Sequence, residues 1–284
     1  MKYLLIILAL CAIAACDNVP PSPTPARVLS GPTLEPSPTI LPFMQAQEPT
    51  QLLYQGQNDP TAAALPRDSE LPPLAAGTMV PGQTHQPITV TAPDGTQLIG
   101  DLYVSPTQAL SPGILMIAPD SKAWLDLPLQ LQNKGYTVLA MPLRADQVVN
   151  STEALGDFEA MIQALSQVGD PGHLAVIGAE SGADLALAGC AADTLCKALV
   201  LLTPTNQEIA QLGITRYNPR PLFLAVAQND SANFGISEYL RGSAQGGEVG
   251  YDSVDGSAKG AALLQASPAL GDQLIEWIGK QLNT

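Results

Sequence analysis

Val176-Ile177-Gly178-Ala179-Glu180-Ser181-Gly182-Ala183-Asp184-Leu185-Ala186-Leu187 runs from one apolar stretch into another through a Gly-x-x-x-Gly bend. The first half reads as a strand buried on both faces and the second as a helix. The two glycines mark a turn in which backbone must pass close on either side. Position 180 then lies at the apex of the bend, at the carboxyl end of its strand. In an open parallel sheet that is where ligands bind.

Working outward, the flanking segments repeat the same alternation. Ile88 to Ala92 and Gln97 to Val104 flank Pro93-Asp94-Gly95-Thr96, and Asp-Gly between two such runs signals a hairpin. Gly113 to Ala118 is a continuous apolar run, and a helix from Leu127 to Lys134 stops at Gly135, a left-handed cap. Strand Thr137 to Pro142, helix Ala154 to Val168, strand His173 to Gly178, helix Gly182 to Ala192 and strand Lys197 to Thr203 follow. Leu155, Phe158, Ile162 and Leu165 recur at spacings of three and four, which gives the second of those helices one apolar face. Strand Pro221 to Ala227, a helical stretch near 231–244, strand Glu248 to Val254 and a helix from Pro268 to Leu282 complete the series. The predicted class is α/β: a three-layer sandwich with a mainly parallel sheet of about eight strands, opened by an antiparallel hairpin.

With the bend in that context, the chain resembles the α/β-hydrolases, whose nucleophile stands at such an elbow. The stretch 86–284 is similar to their dienelactone-hydrolase and acylaminopeptidase-like branch. The resemblance places the acid in Ala227-Gln228-Asn229-Asp230 and the histidine in the loop Asp255-Gly256-Ser257-Ala258-Lys259-Gly260-Ala261. The nucleophile position is then Glu180, the acid Asp230, and the histidine position Lys259. The segment matched to the oxyanion loop, Ala118-Pro119-Asp120-Ser121, has a proline without an amide hydrogen and an added negative charge.

The chain has only two histidines to rebuild a proton relay. His173 lies at the far end of the elbow strand, roughly 20 Å from Glu180 at about 3.3 Å per residue, and His85 precedes the hairpin. Ser181 is one residue past the apex, where its amide faces the site but its hydroxyl turns toward the helix start. The expectation is a Glu180–Lys259 ion pair, joined by Asp230, in place of a serine–histidine hydrogen bond. The domain is then catalytically silent and acts through a small-molecule or protein ligand or as a scaffold. The alternative is an ester hydrolase using Ser181, Lys259 and Asp230, with a lysine base made competent by desolvation.

The amino-terminal part has a different texture. Lys2, an apolar run from Tyr3 to Ile13 and small residues before Cys16 form a secretory signal over residues 1–15, too short to span a bilayer comfortably. Ile13-Ala14-Ala15-Cys16 resembles the lipobox of bacterial lipoproteins, which implies lipidation at Cys16 and a partner in the lipid bilayer outside the cytoplasm. Residues 16–85 form the anchor and a tether. Between Asp17 and Gly82 lie 14 of the 26 prolines, with no sustained period of 2 or 3.6, so this segment is expected to be a loose coil spanning on the order of 45 Å.

Two further cysteines, Cys190 and Cys196, flank a helix-to-strand connection. They either close a small disulfide or pack as buried thiols, and too few cysteines remain for a metal site. No cofactor motif is present. Twelve basic residues against 26 acidic ones give a net charge of −14, which repels phosphate backbones and argues against nucleic acid.

Overall fold

The computed structural model describes residues 75–76, 84–106, 110–145 and 147–282. The signal segment, Cys16 and nearly all of the tether therefore lie outside the described residues. Strands β1 (Ala75–Ala76), β2 (Gln86–Thr91), β3 (Gln97–Tyr103), β4 (Pro112–Ala118) and β5 (Thr137–Pro142) precede the elbow strand β6 (Asp170–Ala179). Strands β7 (Cys196–Leu202), β8 (Leu222–Ala227) and β9 (Val249–Val254) follow it. The sheet order is β1-β2-β3-β5-β4-β6-β7-β8-β9. The β1–β2, β2–β3 and β3–β5 pairs are antiparallel and the rest are parallel. The hairpin stands at its expected place, and eight full strands gain a two-residue partner, β1, that pairs Ala75 with Thr89.

Alternation along β4 shows why the central strands read as unbroken apolar runs. Leu115 and Ile117 enter a core shared with helices α2 (Thr152–Val168), α3 (Ser181–Ala192), α4 (Gln207–Tyr217) and α5 (Ser231–Ser243). Ile114, Met116 and Ala118 enter the opposite core with α1 (Leu127–Asn133), α6 (Leu263–Ala266) and α7 (Pro268–Leu282). With helices on both faces, every residue of the strand must be apolar. Among the described residues no helix is long and apolar enough to cross a membrane.

Two helices have no counterpart in the sequence analysis, the four-residue α6 and the longer α4. α4 buries Ile209, Ala210, Ile214 and Tyr217, and Asn206 caps it by accepting a hydrogen bond from the Ile209 amide at 3.0 Å. Its apolar face is interrupted by Gly213, which is there because Leu187 of α3 crosses against it: a Cβ would lie 2.7 Å from Leu187 Cγ. A close helix crossing has replaced the side chain that would have marked the period.

The α3–β7 corner is held twice. Cys190 and Cys196 are bonded with Cα atoms 5.4 Å apart. The Arg220 guanidinium donates to the carbonyls of Asp193 (2.7 Å), Cys196 (2.9 Å) and Cys190, while its Nε donates to the Tyr217 carbonyl at 3.0 Å. Its plane also lies over the Tyr217 ring, 4.3 Å from the centroid. A second arginine, Arg144, ties the hairpin turn to α2 by bridging Asp94 and the buried Asp157.

Arg220 spreads its donors over four carbonyls of one buried corner, and a lysine ammonium lacks that fork. Arg220→Ala is expected to lower unfolding free energy by about 2 kcal/mol through the orphaned carbonyls, with Arg220→Lys recovering less than half. Chemical denaturation with the disulfide intact measures it, and a wild-type midpoint for Arg220→Ala would show that the clamp contributes nothing.

Candidate functional site

The bend forms as the spacing of its glycines requires. A Cβ on Gly178 would sit 2.5 Å from Ala183 Cα, and one on Gly182 would sit 2.3 Å from the Ile117 carbonyl oxygen. Both positions therefore exclude every other residue. Glu180 between them has φ 53° and ψ −125°, and its amide donates to the Leu202 carbonyl at 2.9 Å. Among the described residues two more non-glycine residues have positive φ: Leu125 at 52° and Thr203 at 55°. Thr203 follows β7 directly and Leu125 ends the 3-10 turn Ser121–Trp124 that follows β4. Strain costing about 1–3 kcal/mol per residue is thus gathered past the carboxyl ends of three neighbouring strands.

The expected Glu180–Lys259 ion pair does not form. Lys259 Nζ lies 3.7 Å from Asp230 Oδ1, with side-chain exposures of 54% and 4%. Asp230 also accepts a 2.7 Å hydrogen bond from Asn233 Nδ2. Burial decides between the two carboxylates: uncompensated, Asp230 would lack both water and a cation, whereas half-buried Glu180 keeps contact with solvent. Glu180 instead folds over the loop backbone. A Cβ on Gly260 would be 2.7 Å from both Glu180 Cγ and Oε1. The Gly260 amide donates to the buried Thr203 hydroxyl at 2.9 Å, pinning that loop beside the bend.

The other candidate residues fall as follows. Ser181 is the first residue of α3 and half-buried, and the recorded partner of the Lys259 ammonium is Asp230, not Ser181. Asp120 is exposed and accepts from the Lys122 amide at 2.9 Å, capping the 3-10 turn. Neither histidine approaches the bend. His173 bonds Asp170 at 2.8 Å at the amino end of β6. His85 stacks on Tyr103, ring centroids 5.0 Å apart, beside the outer strands. Among the described residues no cluster of His, Cys, Asp and Glu could hold a metal ion.

Asp184 is a site residue that the sequence reading passed over. It is buried in the first turn of α3, and it accepts from the Thr205 amide (2.9 Å), the Thr205 hydroxyl (2.5 Å) and the Asn206 amide (3.1 Å). Burial pushes its pKa up, while these hydrogen bonds work in the other direction. The signal was an acidic residue inside an otherwise apolar helix, in the first turn where a carboxylate suits the dipole.

No family model matches the chain, and no curated protein matches it. Solved structures do. The esterase domain of a Rhodothermus marinus protein is 16% identical, with a TM-score of 0.55 over 70% of this chain and 99% of that one. Dienelactone hydrolase from Anabaena variabilis is 14% identical, with a TM-score of 0.56 over 70% of this chain and all of that one (100%). The thermostable carboxylesterase EstE1, cloned from a metagenomic library, is 13% identical, with a TM-score of 0.55 over 72% and 90%. At such identities the likeness is one of architecture, and the architecture of this chain is the α/β-hydrolase fold.

Proposed function

We propose that the chain is a surface lipoprotein, held on the extracytoplasmic face of a membrane through Cys16, whose hydrolase-fold domain is catalytically silent and serves ligand binding or scaffolding. The observation that carries the silent reading is the pairing of Lys259 with Asp230 while Glu180 occupies the apex. Acyl transfer by a hydroxyl needs a base that takes its proton. Among the described residues, the cation beside the acid is already paired with it, and both imidazoles are elsewhere. A lysine base also needs desolvation, which a side chain 54% exposed does not receive. The Cys190–Cys196 bond supports the location, since such bonds persist outside the reducing cytosol.

The competing reading, an ester hydrolase built on Ser181, Lys259 and Asp230, draws on the esterase neighbours. The two separate in one experiment. The purified full chain is expected to resist a serine-directed fluorophosphonate and to leave p-nitrophenyl acetate at its uncatalysed rate. Turnover abolished by Ser181→Ala would establish the hydrolase instead. Glu180→Ser combined with Lys259→His asks whether the remaining scaffold can still use a restored pair. Weak fluorophosphonate labelling at position 180 is expected, because the elbow geometry is intact.

Anchoring is tested by fractionation. Cys16→Ser is expected to move the protein from the membrane pellet to the soluble or uncleaved precursor fraction, and to remove the acyl mass from its amino-terminal peptide. An unchanged, acyl-free membrane fraction would refute the anchor.

A further inference from the structure

The two edges of the sheet are finished differently. At one edge β2 carries Pro87 and is met by the two-residue β1. At the other, β9 keeps an unshifted parallel register with β8, and its sequence Val249-Gly250-Tyr251-Asp252-Ser253-Val254 contains neither proline nor lysine. Proteins blunt an exposed edge with such residues, with a bulge or with a cover, and among the described residues no strand lies beyond β9. We propose that β9 is the contact through which two copies of this chain pair, edge to edge and antiparallel, about a two-fold axis at Tyr251. The proposal goes beyond the reading of the elbow and of the anchor, and stands or falls without either.

The backbone fixes which groups are on offer. The Leu222 amide donates to the Glu248 carbonyl at 3.0 Å and the Gln228 amide to the Val254 carbonyl at 2.8 Å, so the even-numbered residues of 248–254 face β8. Val249, Tyr251 and Ser253 therefore turn their amides and carbonyls to the free edge. Gln228 Nε2 donates to the Ser253 carbonyl at 3.2 Å, and that oxygen has a second lone pair. An antiparallel copy centred on Tyr251 sets 251 opposite itself and 249 opposite 253. Every outward amide then meets an outward carbonyl.

The side chains fit the same axis. Tyr251 faces its own copy as a cross-strand aromatic pair, Asp252 stands opposite the bare Gly250, and Val249 opposite Ser253. Beside the axis, Glu238 and Arg241 of α5 are paired at 2.6 Å and both reach solvent, with the Arg241 guanidinium 4.9 Å from the Tyr251 ring centroid. A two-fold there brings each of these charges toward its opposite in the other copy, so the flank is self-complementary. A second copy also suits this edge better than a free extended peptide. α5 packs on one face of the sheet and α7 on the other, so a second sheet edge continues all three layers, whereas a lone strand would leave both of its faces in water.

Light scattering on the full chain carrying Cys16→Ser, so that no acyl group adds to self-association, is expected to give the mass of two chains at about 100 μM, falling toward one on dilution. The Tyr251 amide, which finds no acceptor in β8, should exchange slowly with solvent in the concentrated protein and fast in the dilute one. Val249→Pro removes one outward amide from each copy and leaves the β8 ladder whole, at the first residue of a strand, where proline is tolerated. It is expected to raise the dissociation constant about tenfold with an unchanged far-ultraviolet circular dichroism spectrum. Should that variant misfold, Tyr251→Lys, which sets like charges on the axis, is expected to weaken pairing at least as much. A single-chain mass at every concentration, a dimer whose dissociation constant neither variant raises, or a Tyr251 amide that exchanges fast within the dimer would each overturn the proposal.

Discussion

The contact on which the functional edge depends is steric: the first turn of α3 passes so close to the end of β4 that position 182 meets the Ile117 carbonyl with no room for a side chain. The same bend brings position 178 against Ala183. With both neighbours fixed as glycine, Glu180 has nowhere to go but the positive-φ region. That conformation serves a nucleophile in other proteins of this fold, but here it is required by packing whatever residue stands there. A strained apex is therefore evidence about how β6 and α3 pack, and chemistry has to be argued from the side chains around it.

Those side chains distribute charge by burial. Of the carboxylates at 180 and 230, the one more deprived of water, Asp230, takes the available cation, and the one that can still reach water packs over a glycine. The loop carrying Lys259 is then fixed by two contacts, an ion pair to Asp230 and a hydrogen bond donated by the Gly260 amide to the Thr203 hydroxyl. Arg144 and Arg220 follow the same logic elsewhere: each is placed where several acceptors would otherwise be orphaned, and each depends on the planar geometry of its head group.

Much of the fold could be read from the chain because the central strands are buried on both faces and the glycines at 178 and 182 admit no substitute. Strand β5 and helix α7 were read to the residue, and the elbow lies where its spacing placed it. α4 escaped because Gly213, demanded by Leu187, broke the apolar period. The site was harder. Spacing along the chain gives the backbone positions of 180, 230 and 259, but not which of two carboxylates a long lysine will choose, since that depends on how much water each retains. Asp184 escaped for the same reason, its three donors coming from a loop some twenty residues on.

The glutamate lying over Gly260 locks two distant positions together. Any side chain at 260 would have to evict Glu180, and any shorter residue at 180 would open a hole above the loop. The two positions are therefore coupled, and a change at either one asks for a matching change at the other. A single exchange at the apex leaves the surrounding backbone shaped to a side chain that has gone.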